Sequence, residues 1–182
     1  MNKREALLNA AETKARVGGY SNFSFRELAA EVGIKSASVH YHFPTKEDLG
    51  AELAKRYTEN FFIALGSPSD LLKQGKKPIA EYIRVFRHAL EKDQLMCLCG
   101  LFGAESDALP EKVKLNTKIF FEKNLEWLQE AVKLSVSSTE TIARNKALFI
   151  LSLLEGSMMV SNVLKSNDAF SAVAEFIGPE FI

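Results

Sequence analysis

The run from Phe23 to Leu49, FSFRELAAEVGIKSASVHYHFPTKEDL, constrains this chain more than any other part of it. Phe25, Leu28, Ala29 and Val32 recur at helical spacing, and Ser24 with Glu27 three residues on makes a capping box that sets the helix start. Gly33 supplies the positive φ that a tight helix exit needs, and Ile34 turns back towards a small core. A second short helix is expected from Ser36, with Val39 and Phe43 facing inward. Its other face carries Lys35, Ser36, Ser38, His40, Tyr41 and His42: small polar residues first, then hydrogen-bonding rings. Such a face suits a DNA major groove, where small residues reach base edges and longer donors hold the flanking phosphates. The pattern is that of a helix-turn-helix.

The rest of the chain reads as helix with no competing strand pattern and no internal repeat. A first helix is expected over Lys3–Val17, with Ala6, Leu7, Ala10, Ala11 and Val17 as its apolar stripe, ended by Gly18-Gly19. Tyr20 and Phe23 then close a mini-core. Pro44 and Thr45 break the second helix of the motif, and Thr45 with Asp48 starts a helix over 46–65. The segments Gly66–Asp70 and Gly75–Pro78 read as breaks. Further helices are expected over Ile79–Lys92, Leu95–Glu105 and Pro110–Leu134. Ser137, Ser138 and Thr139 cap the next, Glu140–Leu164. A last short helix from Asp168 to Phe176 is stopped by Gly178-Pro179. The expectation is therefore an all-α chain: a three-helix head over residues 1–46, a connecting helix over 46–65, and a helical body within 47–182.

Charge is zero overall, but it is not evenly spread. Residues 1–46 carry 7 Lys/Arg against 4 Asp/Glu, and the remainder 16 against 19. A basic end on an acidic body fits a local footprint for phosphate. The longest apolar run, Ala147 to Val160, is interrupted by Ser152, Glu155, Gly156 and Ser157, so no membrane span and a cytoplasmic location are expected. Around its middle this helix is apolar on nearly every side: Leu148, Phe149, Ile150, Leu151, Leu153, Leu154, Met158, Met159 and Val160. One face can pack within its own domain, and a second copy of the chain would cover the rest.

The motif resembles the DNA-binding domain of the tetracycline-repressor (TetR) family. The matching positions are Phe23, Leu28, Ala29, Gly33, Ile34, Val39, Tyr41, His42, Phe43, Lys46, Asp48 and Leu49. One position departs: His40 stands where the family usually carries a tyrosine on a phosphate. The resemblance implies a dimeric regulator that binds operator DNA of two-fold symmetry, needs no cofactor, and is released by a small-molecule inducer held in the C-terminal domain. On this reading Ser36, Ala37 and Ser38 approach base edges, and Ala37 has only a methyl to offer a thymine. Tyr41, His42 and Lys46 hold phosphates beside Lys35 and His40, and Arg26 is a further contact candidate. The cavity implied by the resemblance has Phe62, Phe86, Cys97, Phe102, Phe120, Phe121, Trp127 and Glu155 as its candidate lining.

Two features keep alternatives open. Cys97 and Cys99 lie two apart, too divergent on a helix for a shared metal or an internal disulfide, and no histidine spacing makes a zinc site. They are either small core residues or, as in a branch of the family where a cysteine opens a helix beside the pocket, sensors of electrophiles or oxidants. Glu155 is the one charge in its apolar run, and it either faces solvent at an interface edge or points into the pocket. An enzyme with an incidental helix-turn-helix is the rival class, but no catalytic residues stand out: the body holds one histidine and no Gly-x-Ser-x-Gly elbow. A ligand-free scaffold would instead have a filled core.

Overall fold

A computed structural model describes residues 2–91, 94–136 and 138–181. In chain order its helices are α1 (Lys3–Gly18), α2 (Phe25–Val32), α3 (Ser36–His42), α4 (Lys46–Leu65), α5 (Pro68–Lys73), α6 (Pro78–Glu91), α7 (Leu98–Ala104), α8 (Glu111–Ser135), α9 (Glu140–Leu164) and α10 (Asp168–Phe181). Short 3-10 turns stand at Tyr20–Asn22 and Ser106–Ala108, and no strand occurs among the described residues. The fold is all-α, as the periodicity predicts.

The chain makes two compact units. One comprises Met1–Glu59 with Leu98–Phe120, the other Asn60–Cys97 with Phe121–Ile182. Compactness is a different criterion from the functional division at residue 46, which we retain as a proposal.

In the first unit α1 packs on α2 and α7. Leu7, Leu8, Ala11 and Ala15 are fully enclosed, with Leu28, Val39, Phe43, Leu49 and Leu53 opposite them in the same core. Val17, expected in the stripe, is instead 64% exposed. In the last turn Arg16 goes inward in its place, its guanidinium 5.6 Å from the centre of the Tyr57 ring, so a cation–π contact displaces the apolar period. Arg56 ties α4 to α1 through Glu12 at 2.6 Å, Asn9 at 2.9 Å and Glu5 at 3.2 Å.

The second unit is built on α6, whose buried Ile79, Tyr82, Ile83, Phe86 and Leu90 form one face, as their spacing predicts. α9 and α10 pack on each other and on α6. Thr139 caps α9 by accepting from Ile142 N, while Ser137 lies outside the described residues. By length and composition α9 is apolar enough to cross a membrane. Its inner face (Ala143, Ala147, Ile150, Leu154, Met158) is nevertheless core of this unit, as in a buried helix of a globular body.

Three boundaries differ from the sequence reading. Residues 68–73 form α5 where a break was expected, because Ser67 accepts from Asp70 N at 3.2 Å and Pro68 fits the first turn. α7 begins at Leu98 rather than Leu95. α10 continues through Gly178 and Pro179 to Phe181.

Candidate nucleic-acid interface

The interface is assembled by caps. Ser24 Oγ accepts from Glu27 N at 3.3 Å and donates to Glu27 Oε2 at 2.8 Å. That hydroxyl holds the Glu27 carboxyl below its usual range. α2 then ends at Gly33, left-handed at φ 68°, with Ile34 N returning to Ala29 O at 2.9 Å. No atom lies within 4 Å of where a Cβ of Gly33 would sit, so the glycine is required for its dihedral rather than for room.

α3 follows with Val39 as its buried residue. Lys35, Ser36, Ala37, Ser38, His40 and Tyr41 are exposed, and Tyr41 is 87% exposed with its ring edge-on to the half-buried His42. Arg26 is exposed on the first turn of α2. His40 is less free than its exposure suggests. Its Nδ1 lies 3.1 Å from the Pro44 carbonyl oxygen and its ring packs against Phe25. A carbonyl only accepts, so Nδ1 carries a proton and Nε2 is left to face outward.

Lys46 differs from the others. Its ammonium sits 4.6 Å from the centres of both the Tyr20 and Phe23 rings. Burial there pulls its pKa down, against the Glu105 and Glu27 carboxylates, which raise it. Glu105 Oε2 accepts from Tyr20 N at 3.1 Å, across 85 positions of sequence. Nothing in the local pattern around Lys46 or Glu105 signals this arrangement.

The candidate ligand-lining residues divide between the units. Phe102 and Phe120 belong to the first, where Phe102 meets Tyr20 and Phe120 meets Tyr57 edge-on or tilted at 5.9 and 5.7 Å. Phe62, Phe86, Cys97, Phe121, Trp127 and Glu155 belong to the second. There Tyr82 stacks with Phe61, Phe86 and Trp127 at centroid distances of 5.1–5.8 Å, and Trp127 Nε1 donates to Gly66 O at 2.7 Å.

Part of the Glu155 stem is exposed, but its carboxyl is enclosed and Oε1 has no hydrogen-bond partner. Burial lifts this carboxyl to about 7, partly offset by a hydrogen bond with Cys97. The carboxyl thus turns into its own unit rather than to solvent. Neither cysteine is in a disulfide, and both are buried, Cys97 at 2% and Cys99 at 0% exposure. No group of three metal-binding side chains occurs among the described residues.

Residues 7–53 match the model of the bacterial regulatory proteins, tetR family. A TetR transcriptional regulator from Legionella pneumophila superposes with a TM-score of 0.90 at 29% identity, covering 100% of this chain and 98% of that one. A TetR-family regulator from Agrobacterium tumefaciens gives 0.87 at 25%, with 98% and 97% covered. The reduced form of E. coli NemR gives 0.81 at 18%, with 98% and 96% covered, a likeness of fold alone. No curated protein matches.

Proposed function

We propose that this chain is a DNA-binding regulator of the tetR family rather than an enzyme, and that it works as a cytoplasmic homodimeric repressor released from its operator by a small molecule. The observation that carries the DNA-binding face is α3: a seven-residue helix set by a glycine turn, with Val39 inward and Ser36, Ala37, Ser38, His40 and Tyr41 outward. Ser36, Ala37 and Ser38 take the base edges. Lys35, Tyr41, His42, Lys46 and Arg26 take phosphates, and His40 offers Nε2.

The inducer reading is supported by the second unit. A carboxyl oxygen without a partner, set near an aromatic cluster, is costly unless a proton or a bound molecule satisfies it. Phe86, Trp127, Cys97 and Glu155, with Phe62 and Phe121, are the side chains we assign to that molecule. An inducer that prefers the dimer form whose recognition helices no longer fit adjacent major grooves shifts the population away from DNA. A coupling of about 1–3 kcal/mol changes affinity roughly 5–150-fold.

Selection of duplexes from a random-sequence pool tests the DNA-binding face, followed by Tyr41→Ala on the selected duplex. The side chain is exposed, so the variant should fold as wild type and bind more weakly. Retention of full affinity by Tyr41→Ala and by Ser38→Asp would place the docking face elsewhere.

A further inference from the structure

The ammonium of Lys46 has two competing destinations. In the structure it lies between the Tyr20 and Phe23 rings, 4.6 Å from each centre. The nearby carboxylates are those of Glu105 and Glu27. Glu27 is exposed and bonded to the Ser24 hydroxyl, whereas Glu105 is half-buried, so water screens the Glu105 charge less. Glu47 and Asp48, next along α4, are engaged by Lys112: its N–H donates to Glu47 at 3.0 Å and its Nζ to Asp48 at 2.6 Å. Glu105 itself is held in place from the other side. It accepts the Tyr20 N–H, and it approaches Gly19 so closely that a Cβ there would lie 1.8 Å from Oε1. Gly19, at φ 78°, leaves the space that this carboxylate fills.

A cation held over two ring faces, with a carboxylate near enough to favour its charge, cannot at the same time turn out to a phosphate oxygen. We propose that Glu105 is a positioning residue for DNA binding: it holds Lys46 back between the Tyr20 and Phe23 rings, so that a DNA phosphate must compete with the Glu105 carboxylate for the same ammonium. The inference rests on the DNA-binding face proposed above. Glu105 follows directly on α7, so the end of that helix sets DNA affinity without contacting DNA.

The test is a double-mutant cycle on a duplex selected by the wild-type protein from a random-sequence pool. Glu105→Gln keeps an acceptor for Tyr20 N–H and removes the charge; Lys46→Met keeps the stem between the rings and removes the ammonium. Binding is followed by fluorescence anisotropy over a salt series, with the unfolding temperature of every variant. Glu105→Gln should bind about 3–10-fold tighter and steepen the log K against log salt slope by about 1, because one more phosphate is neutralised. In the Lys46→Met background the same change should alter affinity by less than about twofold.

An equal gain in both backgrounds would mean a general field effect and overturn the proposal. So would unchanged or weaker binding with a lower unfolding temperature, which is what a purely structural Glu105 gives. If Lys46→Met does not fold, the Glu105→Gln salt slope decides alone, and an unchanged slope overturns the proposal. Should the wild-type protein select no duplex, the DNA-binding face itself fails; selection by wild type with no Glu105 effect sinks only the present inference.

Discussion

Tyr82 donates its hydroxyl to Asn124 Oδ1 at 2.5 Å in the second unit, and both side chains are fully enclosed. Tyr82 is also the ring that joins Phe61, Phe86 and Trp127, so the bond holds the ring at the centre of that aromatic group. Burial, with Glu155 and Cys97 nearby, pushes the Tyr82 hydroxyl well above its ordinary pKa, and it stays a donor at any working pH.

Removing that donor leaves a buried amide oxygen short of a partner. Tyr82→Phe should therefore cost about 1–3 kcal/mol in urea unfolding. Tyr82→Phe with Asn124→Leu should cost less than the sum of the two single changes, because both remove the same hydrogen bond. Strictly additive losses in that cycle would mean the two groups are not coupled.

Glu155 makes stability depend on pH in the direction opposite to a surface carboxylate. Burial raises its pKa from 4.5 to about 7 in the folded chain. Between these values the unfolded chain has lost the proton and the folded chain retains it, so rising pH favours unfolding. The contribution is intact below about pH 4.5, declines to about pH 7 and is flat beyond. Urea unfolding of wild type and Glu155→Gln at pH 5 and pH 8 measures it. The difference in stability between them should shift in favour of Glu155→Gln by roughly 1–3 kcal/mol at the higher pH. Parallel pH profiles would show that the carboxyl is ionised in the fold.

What the sequence made legible was local. The capping box at Ser24, the left-handed Gly33 and the Thr139 cap each act within a few residues, and α2, α3 and α9 stand where those signals put them. α5 was legible in principle, since Ser67-Pro68-Ser69-Asp70 is a helix-start pattern, but Gly66 and Pro68 together read as a break. Long-range contacts left no such trace. The hold of Glu105 on Tyr20 spans 85 positions, and the exchange of Val17 for Arg16 depends on the Tyr57 ring supplied by α4. The candidate cavity lining came from resemblance rather than periodicity, which cannot show that Phe102 and Phe120 pack in the first unit.

The thiols give a sharper expectation than their spacing did. A sensor cysteine needs access, and both thiols are buried. Folded protein should react with an aromatic disulfide reagent at neither Cys97 nor Cys99 on the timescale that labels the urea-unfolded chain. Cys97→Ser and Cys99→Ala should keep DNA affinity. Rapid labelling of Cys97 in folded protein, with loss of DNA binding, would instead favour regulation by thiol modification.

The dimer expectation can now be aimed at the right residues. Leu151 and Leu154 are core of their own unit, Leu154 at 0% exposure, so a charge there tests folding rather than association. The uncovered apolar side of α9 carries Phe149, Met159, Val160, Val163 and Leu164, and Phe176 of α10 lies beside Phe149 at a ring distance of 6.2 Å. An apolar face of this extent is more than scattered surface residues explain, and a two-fold copy of the same face would cover it. Val163, 73% exposed, makes little contact within the chain. Val163→Asp should therefore leave the unfolding temperature of the isolated chain nearly unchanged while a buried, unpaired charge blocks pairing. Light scattering at micromolar concentration should report a dimer for wild type and a folded monomer for Val163→Asp, whereas Leu154→Asp should unfold. A wild-type monomer, or a Val163→Asp dimer of undiminished affinity, would remove this face as the dimer contact.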